Sequence, residues 1–250
     1  MVDTYAAAAA NTGIEGADVS VVDNTAPTRV NNVVQLFQKV ITVSDTELAI
    51  PHYGMNDPFE YQTQKKMVEI ARDIEYAAIL GARASGASGV ARAMDGAIAL
   101  ISSNKTAVAS GTSFTEDVLN SLFALVYTNG TDEEVDLLMV GTYLKRVIDK
   151  FSTNTTRFMD AEKFKQALRT DVYVSSFGSH EVVLERNIAA GAILGVDTSK
   201  WQLAWLTGRR LAIKPLAKTG SATKALLEGE CTLVALNQKS SFYASGYFAG

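Results

Sequence analysis

The stretch from Asp57 to Leu80 constrains this chain more than any other. Asp57 suits an N-cap, Pro58 the first helical position and Glu60 the first turn, an aspartate version of the capping box. Beyond that start, Met67, Ile70, Ile74, Ala77 and Ala78 recur at spacings of three and four, which draws one narrow apolar stripe. The remaining face carries Lys65, Lys66, Glu69, Arg72, Asp73 and Glu75. Gly81 stands where a helix would end on a C′ glycine. Such a helix is about 36 Å long at about 1.5 Å per residue. A single-chain globule seldom needs a rod of that length with so little of it buried. The pattern predicts either an amphipathic surface helix or a spine whose polar side is flanked by neighbouring subunits.

The rest of the chain has enough apolar material for a real core, with 250 residues of which 47% are hydrophobic. Acidic residues exceed basic ones by only four, 27 against 23, so bulk charge gives no reason to expect nucleic acid or a membrane surface as a partner. No window approaches the roughly 18 uninterrupted apolar residues of a membrane span. The run "YAAAAANTG" lacks the basic front and apolar length of a secretory signal. The expectation is a soluble protein made in a cytoplasm.

Residues 1–32 hold few large apolar groups and need another surface to lie on, as a loop, an arm or a hairpin. "VVQLFQKVITVS" (33–44) suits a strand exposed on one side. After Gly81, small residues and repeated glycines predict a long, loosely structured connection. Ser113 and Glu116 form a second capping box ahead of a helix buried through Val118, Leu119, Leu122, Phe123 and Val126. "VDLLMVG" (135–141) reads as a buried strand, and Thr142 as the cap of the helix "YLKRVIDKF". "DVYVSSFG" and "EVVLER" read as strands joined by a turn at Gly178-Ser179-His180. The last quarter reads as strands, with Pro215 at an edge or a bulge.

Catalytic hardware is sparse. The single cysteine, Cys231, excludes an internal disulfide and any multi-cysteine metal site, and its strand context marks a core thiol. The two histidines, His52 and His180, are far apart, and neither HExxH nor GxSxG occurs. "SSFGSHE" is the nearest candidate for a serine hydrolase site using His180, although His180 in a turn reads first as a surface residue. Glu133 and Glu134 fall in a solvated turn. "GASG" lacks the lysine of a phosphate loop. Arg209 and Arg210 beside Trp201 and Trp205 offer stacking on bases, but fit a strand pair with a basic turn better. No cofactor and no metal is expected, and the residues favour assembly over catalysis.

Three segments in order, "AAAAANTGIEGAD", "TRVNNVVQLFQKVITVSDTELAI" and "QTQKKMVEIARDIEYAAILG", resemble the major capsid proteins of tailed bacteriophages with the Hong Kong 97 fold. "LLMVGTYLKRVIDKF", "DVYVSSFGSHEVVLERNI" and "LAKTGSATKALLEGECTLVALNQKSS" continue the resemblance over nearly the whole chain. It implies an α+β fold in which residues 1–32 are part of an extended β-hairpin loop and 33–111 a peripheral domain with spine helix 57–81 and a connecting segment. It places an axial domain, a small sheet with helices, at 112–206, and return strands to the peripheral domain at 207–250.

The implied function is a structural one: copies assemble through pentamers and hexamers into an icosahedral head around double-stranded DNA in the bacterial host cytoplasm. DNA would meet the inner face by non-specific contact, and portal, scaffold and decoration proteins are implied as further partners. Tyr5, Ile14, Glu15, Arg29, Lys65, Lys66, Glu69 and Arg72 become candidate intersubunit contacts. Relatives of this kind carry more sequence before the hairpin, so the chain is expected to open partway through it. A cellular nanocompartment shell of the encapsulin type shares the fold and is the alternative within the class. Lysine–asparagine cross-links occur in some relatives, with Lys39 and Asn237 as candidates here.

Overall fold

Helix α2 (Pro58–Leu80) sets the frame of the fold. The Asp57 side chain accepts the Phe59 backbone N–H at 2.8 Å, and Pro58, with no N–H to leave unsatisfied, opens the helix. The 23 residues span about 34 Å. Ile70 and Ala77 are buried, and Phe59, Ile74 and Ala78 pack beside them. Met67, expected on this stripe, is 45% exposed because its position falls on the flank of the buried face. The computed structural model describes residues 15–16, 30–50, 53–54, 57–129, 134–151 and 171–248. Residues 1–31 form one unit and 32–250 a second. Within the first, the description reaches the Glu15-Gly16 turn and the exposed residues 30–31.

Two sheets make up the second unit. The four-stranded sheet has β9 (Ala222–Ala235) at its centre, antiparallel to β1 (Gln35–Ser44) on one side. On its other side β9 pairs with β7 (Trp201–Trp205) and with the short edge strand β8 (Ala212–Pro215), where Pro215 sits as an edge residue should. Alternation along β1 turns Phe37, Ile41 and Val43 inward, where α2 crosses the sheet. Lys39, on the same side, bonds Asp73 of α2 at 2.7 Å. Helix α1 (Asp45–Ala49) follows β1 directly, capped by Ser44.

The six-stranded sheet runs in the order β2 (Lys105–Thr112), β10 (Phe242–Tyr247), β6 (Ile193–Val196), β3 (Leu137–Val140), β5 (Gly178–Leu184) and β4 (Asp171–Ser175). The outermost pair β2 and β10 is parallel, as is β3 with β5; the other pairings are antiparallel. One face is covered by α4 (Glu116–Asn129) and α5 (Thr142–Phe151), whose Leu119, Phe123, Leu144 and Ile148 meet Leu138, Val140 and Phe242. The opposite face, through Leu137, Met139, Leu194 and Val196, joins the core of α2 and the four-stranded sheet. Strand β6 is therefore buried throughout.

Several local expectations change. The segment after α2 is ordered: Ala84 bridges Ala93, Ala87 bridges Val90, and α3 (Ala97–Leu100) and β2 follow. Gly81 has φ −51°, so its role is proximity and not the left-handed conformation of a C′ glycine. A Cβ there would fall 2.4 Å from the Ala77 carbonyl oxygen and 2.5 Å from that of Met94. Gly96 answers from the other side, its N–H donating to Gly81 O at 2.9 Å, with an added Cβ 2.5 Å from Gly81 N. Thr115 caps α4 in place of Ser113, its Oγ1 accepting the Val118 N–H at 3.3 Å. Thr142 is the first residue of α5 and not its cap, and the Lys145 N–H bonds Gly141 O. Sheet membership also crosses the expected domain limits: β2, at 105–112, and β10, at 242–247, both lie in the six-stranded sheet.

The Gly81–Gly96 contact gives the first prediction. Gly81→Ala and Gly96→Ala should each cost about 1–3 kcal/mol through overpacking against backbone, read by denaturant melts. Gln64→Ala, at an exposed position of α2, should stay within about 0.5 kcal/mol.

Candidate functional site

Among the described residues, the constellation with catalytic residue types is around His180, and the structure makes it a buried network. The two-residue turn of this hairpin is Ser176-Phe177, with Ser175 opposite Gly178, so His180 lies inside β5 and is 1% exposed; the surface-turn expectation is corrected. Gly178, at φ 132°, permits the turn where a side chain would be strained. His180 Nδ1 lies 2.5 Å from the Val135 carbonyl oxygen, which can only accept, so Nδ1 carries the proton. Nε2 then accepts from Ser175 Oγ–H at 2.7 Å, and Ser175 Oγ in turn accepts the Phe177 N–H at 3.0 Å.

The imidazole stacks on Phe123 with ring centroids 4.1 Å apart. Burial pushes its pKa below the usual 6.5. A serine and a histidine are thus bonded, but a backbone carbonyl stands where a carboxylate would orient a catalytic base. The arrangement ties the hairpin to the start of β3. His52 and Glu133 lie outside the described residues.

The other candidates are also structural. Cys231 is fully buried, and burial raises its thiol to about 11, so it is not a thiolate at neutral pH. Arg209 grips Glu230 at 2.8 Å and Glu228 at 3.0 Å, with Lys214 on Glu228 at 2.6 Å and Arg92 on Glu230 at 3.3 Å. That network fastens the 206–214 strand and loop to β9 and commits Arg209 to carboxylates. Trp201 and Trp205 are half-buried and pack against the core. Lys39 is held by Asp73, and Asn237 Oδ1 accepts the Lys239 N–H at 3.1 Å, so both cross-linking candidates have local partners. Among the described residues no group of three or more His, Cys, Asp or Glu is placed to hold a metal, and no helix is long and apolar enough to cross a membrane.

What remains is a surface. The side of α2 turned away from the sheet carries Tyr61, Lys65, Val68, Arg72 and Tyr76, all exposed, with Val68 54% and Tyr76 56% accessible. Tyr61, Val68 and Tyr76 recur at seven and eight, a second stripe that the single-stripe reading passes over. Lys65 Nζ sits 5.8 Å from the centroid of the Tyr61 ring. Lys66 and Glu69 form a half-exposed pair at 2.7 Å on the flank. Arg72 lies near Glu75, whose carboxyl is raised by burial and by the neighbouring Glu185 that follows β5. Glu15 is exposed, and Tyr5, Ile14 and Arg29 lie outside the described residues.

The family model for the SU10 major capsid protein matches residues 1–247. The chain belongs to the SU10 major capsid protein family. No curated protein matches the sequence. Among solved structures, a capsid chain of a native GTA particle superposes with TM-score 0.62 at 13% identity, covering 95% of this chain and 82% of that one. A chain from Microbacterium phage Oxtober96 gives TM-score 0.60 at 16% identity, covering 95% and 80%. The SrpI encapsulin of Synechococcus elongatus PCC 7942 gives TM-score 0.60 at 11% identity, covering 86% and 75%.

At such identities the likeness is one of fold: α+β, of the Hong Kong 97 type. A SU10-family major capsid protein is a structural component of a multimeric shell in the virion, and the family is not one of enzymes. The exposed second stripe of α2 is consistent with that membership, since a shell subunit completes its burial against its neighbours.

The buried histidine contributes to the pH response of this capsid protein. Because His180 is held neutral, its contribution to stability is full above pH 6.5 and is lost as pH falls from there through its lowered folded pKa. The melting temperature of the wild type should therefore drop more steeply between pH 6.5 and pH 5 than that of His180→Gln, which keeps a donor and an acceptor but no titration. Thiol titration checks the core cysteine: Cys231 should react with a disulfide reagent only after denaturation.

Proposed function

We propose that this chain is the tile of an icosahedral phage head, assembled through pentamers and hexamers in the cytoplasm of a bacterial host around double-stranded DNA. The observation that carries the reading is the double-sided character of α2. One stripe is spent on the four-stranded sheet, while Tyr61, Val68 and Tyr76 stand in water, interleaved with Lys65 and Arg72. An aromatic and aliphatic stripe flanked by charge is the composition of a contact surface. In this reading the four-stranded sheet with α2 and α3 serves as the peripheral domain, and the six-stranded sheet with α4 and α5 as the axial domain. Residues 1–32 serve as part of the extended loop, with Tyr5, Ile14, Glu15 and Arg29 meeting a neighbour. DNA meets the inner wall by diffuse, salt-sensitive contact, and portal, scaffold and decoration proteins engage the shell. No cofactor takes part.

Mass photometry and negative-stain microscopy of the purified chain, over a range of concentration and salt, test this. Rings, tubes or closed shells are expected from the wild type. Lys65→Glu with Arg72→Glu should prevent them while leaving the melting temperature within a few degrees, because both side chains are exposed. A wild type that stays monomeric throughout would overturn the proposal. Nuclease-protected DNA in particles from the native host distinguishes a head from an enzyme-filled compartment shell.

A further inference from the structure

Charge is segregated in the lobe built on the six-stranded sheet. Residues 106–144 contain six carboxylates and no lysine or arginine, whereas α5 carries Lys145, Arg146 and Lys150 against Asp149 alone. At the C-terminal end of α4 a cavity of about 550 Å³ opens, walled by Phe123, Val126, Tyr127 and Phe177, with His180 beneath and Glu134 alongside. Tyr127 is 72% exposed, and Glu134 is exposed as well. His180 is neutral and engaged at both ring nitrogens, so among the described lining residues the carboxylate of Glu134 supplies the charge. Aromatic walls beside one carboxylate suit an organic cation whose stem lies on the rings and whose head reaches the acid.

Helix α5 carries such groups. Leu144 and Ile148 are buried, while Arg146 and Lys150 lie on its exposed side. Within one chain the two features are apart. Phe151, at the end of α5, stacks on Phe114 at 6.1 Å, and Phe114 precedes α4 and packs on Tyr247 at 5.0 Å. Tyr143, near the start of α5, stacks on the adjacent Phe248 at 6.1 Å. Both ends of α5 are thus tied near Phe114 and the end of β10, while the cavity lies beside the later turns of α4, from Phe123 on. Two different, complementary patches at separate places on one lobe are what a head-to-tail contact that closes into a ring requires.

We propose that the cavity at the end of α4 receives α5 of a second copy, Arg146 and Lys150 entering over Tyr127 and Phe177 toward Glu134. The inference rests on the assembly reading above and names one contact within it.

Charge exchange on the full chain tests it, with mass photometry as the readout and thermal melts to verify folding. Glu134→Lys, and separately Arg146→Glu with Lys150→Glu, should each raise the concentration for half-assembly about tenfold or more, because like charges then face each other. The variant carrying all three substitutions should assemble near the wild-type concentration. Reversals that assemble as readily as a competent wild type, or a combined variant no better than either side alone, would overturn this contact and leave the assembly reading standing. A wild type monomeric at every concentration would overturn both.

Discussion

The second face of the six-stranded sheet is the constraint on which the molecule depends. Leu137, Met139, Leu194 and Val196 do not face water; they close one continuous core with Ile70 and Ala77 of α2 and with Ile41, Leu227 and Cys231 of the four-stranded sheet. Burying β6 on both faces makes the lobe with α4 and α5 inseparable from the lobe with α2. The same core fixes the close approach of Gly81 and Gly96, which lets the chain leave α2 and run back to the sheets without opening a gap. Because α2 gives one stripe to that core, the remainder of a helix about 34 Å long is left for other contacts.

Electrostatics inside the chain fastens elements and offers little chemistry. Glu228 and Glu230, nearly buried on β9, are neutralised by Arg209, Lys214 and Arg92, so two separate segments are pinned to one strand. Asp45 is lowered from its ordinary value by its bond to Lys218, which joins the turn after β8 to the start of α1. The fully satisfied Asn104 donates to the carbonyls of Lys239 and Ser241 and accepts from Asn129, tying the entry of β10 to the end of α4. Such pairings leave few groups poised for catalysis, in keeping with a family of structural proteins.

Much of this was legible in the sequence where local physics decides. The Asp57-Pro58 start, the inward alternation of β1, the buried face of α4 and the core placement of Cys231 follow from capping and periodicity. What was not legible depends on partners distant in sequence. The glycine-rich stretch after α2 reads as loose until Asn32 is seen bonding both backbone groups of Asp95 and β2 is seen paired with β10. His180 reads as a turn residue because "FGSH" has turn composition; only the acceptor at Val135 and the donor at Ser175 explain why a histidine is buried there. The proposed contact surface was half legible. Its charges were visible, but Tyr61, Val68 and Tyr76 were hidden by their longer spacing.

The central claim is that the outward side of α2 is covered when copies assemble. Because Cys231 is buried, Val68→Cys places a single reactive thiol on that side, and its labelling rate can be measured on monomers and on isolated shells. The account predicts rapid labelling of the monomer and strong protection in the shell. Equal rates in the two states would show that this side of the helix faces solvent in the assembled particle and would contradict it.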